Sequence, residues 1–380
     1  MIYLDHNAIT PMRPEALAAV EASLSAFGNP SSVHAAGREA RGLIEEARAQ
    51  TARALSVDGR DLVFTSGATE AASLAIRGML ESAPEERHGL VVTAVEHPCV
   101  LDLASELARR GTPVQVVPVD GDGVVDMEVL ANAVSPETAV VACMLANNET
   151  GVIQPVAEAA AAAHRAGALL FCDAVQAVGK IPFDIHALGA DAAALTAQKF
   201  GGARGAGALW LAPGVRITPQ FGGHQERGRR AGTENLAGIC ALGAAIAVAA
   251  LEVCAEGERV RALRDRLEQG LLASVPGTRV NGARARRLPG TSSVTFSDVD
   301  GEALLMAMDL EGVCASAGAA CTSGSTKPSH VLKAMGLSTV QARGTLRLSL
   351  GWSSSEEDVE GALRIIPPLI ARVRDAIRIA

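Results

Sequence analysis

Short runs of continuously apolar residues alternate with alanine-rich stretches through the first two thirds of the chain. A run that is apolar at every position is typical of a strand buried on both faces of a sheet. Strands that alternate with helices predict a mostly parallel sheet with helices on both sides. The seven runs lie at 62–65, 90–94, 114–117, 139–145, 168–172, 192–195 and 206–211.

The pattern of apolar and charged residues changes after residue 252. The pattern there predicts a charged helix over 258–272, a strand near 292–296 and a terminal helix over 355–379. We therefore predict an α/β protein with two domains. A large domain over 13–251 carries a mostly parallel seven-stranded sheet. Residues 1–12 and 252–380 form a smaller α+β domain.

Composition narrows the kinds of partner that we expect. The formal net charge of -8 and the presence of only one Tyr and two Trp argue against a nucleic-acid surface. No signal-like segment opens the sequence, and the apolar run 237–250 is too short to span a bilayer. We expect a cytoplasmic protein that does not bind membranes. The seven cysteines include no CxxC pair, and no metal site is predicted.

Residues 65–70, Thr-Ser-Gly-Ala-Thr-Glu, follow a predicted strand and open a helix. Backbone N–H groups and the Thr69 hydroxyl at such a helix start favour a phosphate group. A simple strand, turn and helix cap without a ligand explains this segment equally well.

Asp173 and Lys199 each follow an apolar strand. A carboxylate at the end of a buried strand requires a cation, and a protonated pyridine nitrogen would supply one. A lysine at the same edge of the sheet can form a Schiff base with a carbonyl cofactor. Alternatively, Asp173 caps a following helix and Lys199 is a solvated surface residue. The ordered set of phosphate turn, Asp173 and Lys199 favours the cofactor interpretation.

Cys321 and Arg347 lie in the C-terminal region in unusual surroundings. Cys321 stands in a stretch of small residues, 315–325, where a thiol on a loop can reach a bound substrate. Arg347 interrupts an apolar strand pattern, and a substrate carboxylate would be a bidentate partner for it. The alternatives are a chance cysteine and an internal Asp or Glu partner. We interpret Cys314 as structural.

With these residues identified, the chain resembles the cysteine desulfurases of the NifS/IscS type, which are class V aminotransferases of the fold type I group that binds pyridoxal 5'-phosphate (PLP). The resemblance covers nearly the whole chain. Its motifs here lie at 3–5, 28–34, 64–70, 96–97, 147–151, 173–176, 199, 225–233, 320–325 and 328–332.

The resemblance implies a set of cofactor contacts. Lys199 would hold PLP covalently, Asp173 would pair with its pyridine nitrogen, and His97 would stack on its ring. The remaining cofactor contacts would come from Ala68, Thr69, Asn148, Gln176, Thr196 and Gln198, and from Thr233 of a neighbouring subunit in a homodimer.

The resemblance also implies a reaction. Arg347 and Asn148 would hold the carboxylate of L-cysteine, Lys199 would move the Cα proton, and His97 would carry a proton near the substrate thiol. Cys321 would take the sulfur as a persulfide, L-alanine would leave, and an acceptor protein would receive the sulfur for iron-sulfur cluster, tRNA or molybdenum-cofactor thiolation.

The sequence departs from the family pattern beside the cofactor lysine. The family has His where this chain has Gln198, and a glutamine can donate to a phosphate oxygen but cannot ionise. Other functions stay open at this point. They are a selenocysteine lyase, another class V aminotransferase reaction, and a catalytically silent scaffold homologue.

Overall fold

The computed structural model describes residues 1–317 and 328–379. Its strands are β1 (Ile2–Tyr3), β2 (Leu62–Thr65), β3 (Gly89–Thr93), β4 (Val114–Val117), β5 (Thr138–Ala142), β6 (Leu169–Asp173), β7 (Ala192–Thr196), β8 (Gly207–Leu211), β9 (Thr278–Val280), β10 (Thr291–Phe296), β11 (Val313–Cys314), β12 (Ser316–Ala317) and β13 (Thr345–Ser349). Its α-helices are α1 (Pro14–Ser23), α2 (Ala35–Leu55), α3 (Ala68–Ser82), α4 (Pro98–Arg109), α5 (Met127–Ala133), α6 (Val156–Ala166), α7 (Leu236–Ser274), α8 (Gly301–Leu310), α9 (His330–Ala334), α10 (Thr339–Arg343) and α11 (Glu356–Ile379).

The seven predicted apolar runs form one sheet with the strand order β2-β8-β7-β6-β5-β3-β4. The strands from β7 through β6, β5 and β3 to β4 pair in parallel. Strand β8 runs antiparallel to both of its neighbours, β2 and β7. The predicted α/β fold with a mostly parallel seven-stranded sheet is confirmed.

Helices cover both faces of this sheet, and strand β2 shows how. Leu62 and Phe64 join the core beneath α2, α6 and α7, whereas Val63 joins the core beneath α3 and α4. Because successive side chains of a strand point to opposite faces, a strand covered on both sides needs apolar residues at every position. This is why the strands appear as continuous apolar runs in the sequence.

A second sheet, which is antiparallel and has the strand order β12-β13-β10-β9, forms in the C-terminal third of the chain. Its core includes Val294, Leu346 and, from the N-terminus, Leu4. Strand β1 pairs in parallel with β11, so the first residues pack with this C-terminal unit. The exact domain boundaries at residues 12 and 252 stay predictions.

Helix α7 runs for 39 residues and joins the two units. The sequence suggested a separate alanine-rich run and charged helix, whereas the structure shows one continuous helix. Its apolar stretch reaches a mean hydropathy of 2.2 and is long enough to cross a membrane by length and composition. Half of that stretch is buried inside the structure, and α7 packs on α1 and α2.

Candidate active site

A cavity of about 560 Å³ lies at the carboxyl ends of β2, β6 and β7, beneath the N-terminal segment and β13. Open α/β sheets bind ligands at this edge. Most of the side chains that the sequence selected line this single cavity. They are Ala68, Thr69, His97, Asn148, Asp173, Gln176, Thr196, Gln198, Lys199 and Arg347.

The amino end of α3 forms one wall of the cavity. The N–H groups of its first turn, from Ala68 onward, have no acceptor inside the helix and carry the positive end of the helix dipole. The acidic side chain in this turn, Glu70, is paired with Arg230 at 2.6 Å. The wall therefore offers amide donors and the Thr69 hydroxyl to an anion such as a phosphate.

The end of β7 lies beside this helix start. The hydroxyl of Thr196 donates to the Ala206 carbonyl at 3.1 Å and lies 3.4 Å from the Gln198 amide oxygen. Strand β8 passes close to this helix start. A Cβ atom at position 207 would lie only 2.7 Å from the Cα of Gly67. Only glycine at 207 allows this approach of the two backbones.

Asp173 ends β6 and is 6% exposed. Its Oδ1 accepts the Val175 N–H at 3.0 Å, and within the described chain no other group hydrogen-bonds its carboxylate. Burial raises the pKa of Asp173, while the nearby His97 and Lys199 act in the opposite direction. No helix follows Asp173, so the helix-cap interpretation is wrong, and the carboxylate is placed to receive a cation from the cavity.

Lys199 closes a short 3₁₀ turn after β7. Its Nζ donates to the carbonyl oxygens of Asn7 at 2.8 Å and Ala8 at 2.6 Å. The side chain is half-buried, so the interpretation of Lys199 as a solvated surface residue is wrong. The amine stands inside the cavity that also contains Asp173.

His97 is the N-cap of α4, and its Nδ1 accepts the Cys99 N–H at 3.2 Å. Burial lowers the pKa of His97, and the negative charge of Asp173 partly offsets this effect. The imidazole is therefore favoured in its neutral form at pH 7, in which one ring nitrogen accepts and the other donates.

Arg347 lies on β13 and is 2% exposed. Its Nη2 pairs with Asp5 at 2.8 Å and its Nη1 donates to the Asn148 carbonyl at 3.1 Å. The internal carboxylate that the sequence left open thus exists. Nε is buried and has no partner among the described residues, while Nη1 and Nη2 each carry a second N–H besides these two bonds.

Two residues of the site were missed by the sequence reasoning. Asn7 bonds Lys199 through its carbonyl oxygen, and Lys180 donates to Gln176 Oε1 at 2.5 Å. Gln176 also donates to the Asn7 carbonyl at 3.0 Å, so its amide is already engaged with protein atoms. The spacing of four residues between Gln176 and Lys180 could have indicated their contact. However, a lysine in a turn is ordinarily solvated.

One predicted residue that the structure describes, Thr233, is not brought to this cavity. Thr233 is exposed and does not line it. The loop before Thr233 is held by Glu226, which accepts Arg48 at 2.8 Å and the Phe64 N–H at 2.9 Å. Cys321 lies outside the described residues.

Comparison with known proteins gives one consistent result. Residues 2–361 match the family profile of Aminotransferase class-V. A cysteine desulfurase of Cereibacter sphaeroides is 46% identical over 98% of this chain and 96% of its own length. The cysteine desulfurase NifS of Azotobacter vinelandii is 42% identical over 98% of this chain and 94% of its own length. A solved NifS-like protein superposes with a TM-score of 0.91 at 34% identity, and the match covers 98% of this chain and 99% of the other.

Proposed function

The chain belongs to the class V aminotransferases and, within them, to the PLP-dependent cysteine desulfurases of the NifS type, and from this membership we propose how its residues divide the reaction. In the proposal, sulfur passes from L-cysteine to Cys321, and L-alanine is released. The observation that carries the proposal is that Lys199, Asp173 and Arg347 surround one cavity.

The donor set of the cavity fits PLP. The buried Asp173 carboxylate, with its single N–H partner, matches the protonated ring nitrogen. The amino end of α3 matches the phosphate, and Lys199 matches the aldehyde. We assign the remaining contacts to Asn148 and Gln176 around the ring hydroxyl and to Ala68, Thr69, Thr196 and Gln198 at the phosphate. When bound, PLP supplies an electron sink for the bonds at the substrate Cα and Cβ.

Lys199 takes the first role in the chemistry. Its amine would hold the cofactor and, once L-cysteine occupies the site, would move the Cα proton as a general base. Asp173 keeps the ring nitrogen protonated because a buried carboxylate is stabilised by an adjacent cation.

Arg347 and Asn148 receive the substrate carboxylate in this proposal. The second N–H groups of Nη1 and Nη2 can donate without breaking the bonds to Asn148 and Asp5, and Asp5 keeps the guanidinium in place. A carboxylate that accepts two N–H bonds from one guanidinium is oriented as well as bound.

Replacement of Arg347 by lysine should raise the KM for L-cysteine. The variant keeps a positive charge but loses the planar fork of donors. Loss of one charge-assisted hydrogen bond is worth about 1.5–3 kcal/mol, so we expect kcat/KM to fall roughly tenfold to hundredfold. Steady-state kinetics measure this effect, with surface-exposed Arg266→Lys as the control. A wild-type KM in Arg347→Lys would remove Arg347 from substrate binding.

Cys321 accepts the sulfur. Its thiolate attacks the sulfur atom of the substrate, so that an S–S bond forms and the Cβ–S bond breaks. The electron pair of the broken bond passes to the three-carbon skeleton, which is protonated and leaves as L-alanine. Sulfur is thereby held as a persulfide. We assign the proton transfer near the substrate thiol to His97, whose neutral ring can accept or donate.

The persulfide then requires an acceptor. We propose an acceptor protein that attacks the outer sulfur with a thiolate of its own, in the cytoplasm. We also propose a homodimer, in which the loop anchored by Glu226 carries Thr233 to the phosphate site of the neighbouring subunit. The exposure of Thr233 away from its own cavity supports this arrangement.

The purified, PLP-loaded protein should form sulfide and L-alanine from L-cysteine in equal amounts when a dithiol reductant is present. The reductant substitutes for the acceptor, and one sulfur leaves for each alanine. The measurement is a paired assay of both products, with L-serine as a substrate analogue that has no sulfur. Pyruvate and ammonia in place of alanine would indicate elimination chemistry and would contradict the proposed function.

A further inference from the structure

Asn7 joins the N-terminal segment to Lys199. Its carbonyl oxygen accepts the Lys199 amine at 2.8 Å and the Gln176 amide at 3.0 Å. The carbonyl of the next residue, Ala8, accepts the same amine at 2.6 Å. The position of the Lys199 amine therefore depends on the position of the Asn7 backbone.

The side chain of Asn7 fixes that backbone. Its Nδ2 donates to the Thr291 hydroxyl at 2.8 Å and to the Asn148 carbonyl at 3.2 Å, while its N–H donates to the Ser349 hydroxyl at 2.9 Å. The residue is 2% exposed. A buried polar group with all of its hydrogen bonds made has a single favoured position.

Lys180 completes the hydrogen bonding of this side chain. Its Nζ donates to Asn7 Oδ1 at 2.8 Å and to Gln176 Oε1 at 2.5 Å. In the part of the chain that the structure describes, no carboxylate forms an ion pair with Lys180. Burial, together with the cations Lys199 and Arg347, lowers the pKa of Lys180 well below its usual value. The two oxygen acceptors therefore engage two N–H groups of the Lys180 amine.

We propose that Asn7 is a positioning residue for Lys199 and that Lys180 acts through Asn7 and Gln176 to hold it. This inference rests on the proposed role of Lys199. During the reaction the amine must leave the cofactor, move a proton and return, so it needs a fixed site beside the substrate. The carbonyls of Asn7 and Ala8 provide that site. A displacement of about 1 Å at such a group can cost as much as a hundredfold in rate.

Lys180→Met and Asn7→Ala should both retain bound PLP, because Asp173, the amino end of α3 and Lys199 are unchanged. The rate of the proton step should fall roughly tenfold to hundredfold. This step is measured without Cys321 by the exchange of the Cα proton of L-alanine with D₂O, followed by NMR. Borohydride trapping and mass spectrometry then show whether PLP is still attached to Lys199.

The control is Asn281→Ala, which also truncates a buried asparagine. Asn281 bonds Ser293 and Thr295 in the small sheet and makes no contact with the cavity. We expect it to lose stability but to exchange the Cα proton within twofold of the wild-type rate. The double variant Asn7→Ala with Lys180→Met should be slowed by less than the product of the two single effects, because both variants act on the position of the same Lys199 amine.

The outcomes separate this inference from the proposed function. If the wild-type protein with PLP does not exchange the Cα proton, the role of Lys199 itself is wrong. If the wild type exchanges and both Lys180→Met and Asn7→Ala exchange at its rate, only the positioning role is overturned. Slower exchange with PLP still on Lys199, without a matching effect in Asn281→Ala, supports it.

Discussion

Lys199→Ala is expected to abolish the release of sulfide and alanine from L-cysteine. The variant loses the amine that binds the cofactor and the base that moves the Cα proton. Proton transfer alone contributes about a hundredfold to ten-thousandfold in rate. Added PLP should still bind, because Asp173 and the amino end of α3 remain. Because the variant has no lysine at position 199, the absorbance of this bound PLP should lack the band of the lysine-bound form.

Few other lysines in the chain could carry PLP in place of Lys199. The sequence has four, Lys180, Lys199, Lys327 and Lys333, so borohydride trapping of PLP followed by peptide mass spectrometry identifies the attached residue without ambiguity. Lys333→Ala is the control, since its exposed Nζ bonds only the Leu337 carbonyl within the described residues. Attachment of PLP in the wild-type protein to any lysine other than Lys199 would refute the assignment.

Cys321→Ala is expected to lower sulfide release by at least about a thousandfold, as for other enzymes that lose their covalent nucleophile. The alanine side chain cannot attack the substrate sulfur, so the Cβ–S bond stays intact. The earlier steps do not use this thiol. The variant should therefore keep the absorbance of bound PLP and should still exchange the Cα proton of L-cysteine with D₂O.

Two comparisons make the result specific to Cys321. Cys254, the exposed cysteine on α7, provides the matched control Cys254→Ala, which should keep wild-type sulfide release. Mass spectrometry of the wild-type protein after one turnover without reductant should show one added sulfur atom on the peptide that contains Cys321. Sulfide release by Cys321→Ala at the wild-type rate would remove the persulfide step.

The sheet was predictable from the sequence because a strand that is buried on both faces appears as a run of consecutive apolar residues. Six of the seven strands, all but the edge strand β4 with its exposed Gln115 and Val116, are buried and apolar at almost every position, and this pattern can be recognised without knowing the partner strands. The antiparallel direction of β8 could not be predicted in this way, since its residues are buried in the same way in either orientation. The continuity of α7 was also missed, because the change from alanine-rich to charged residues reflects different neighbours along one helix.

The chemistry of the site shows the same division. The apolar runs by themselves determined the fold class, and the order of the motifs determined the family. The positions of Asp173 at the end of a buried strand and of Lys199 just after one indicated the candidate site. Only the tertiary structure decided the contacts of Arg347 and Lys199. Arg347 pairs with Asp5 and Lys199 bonds Asn7, across 342 and 192 residues of chain. Local patterns record burial and turns, whereas a hydrogen bond between distant segments depends on how the whole chain packs.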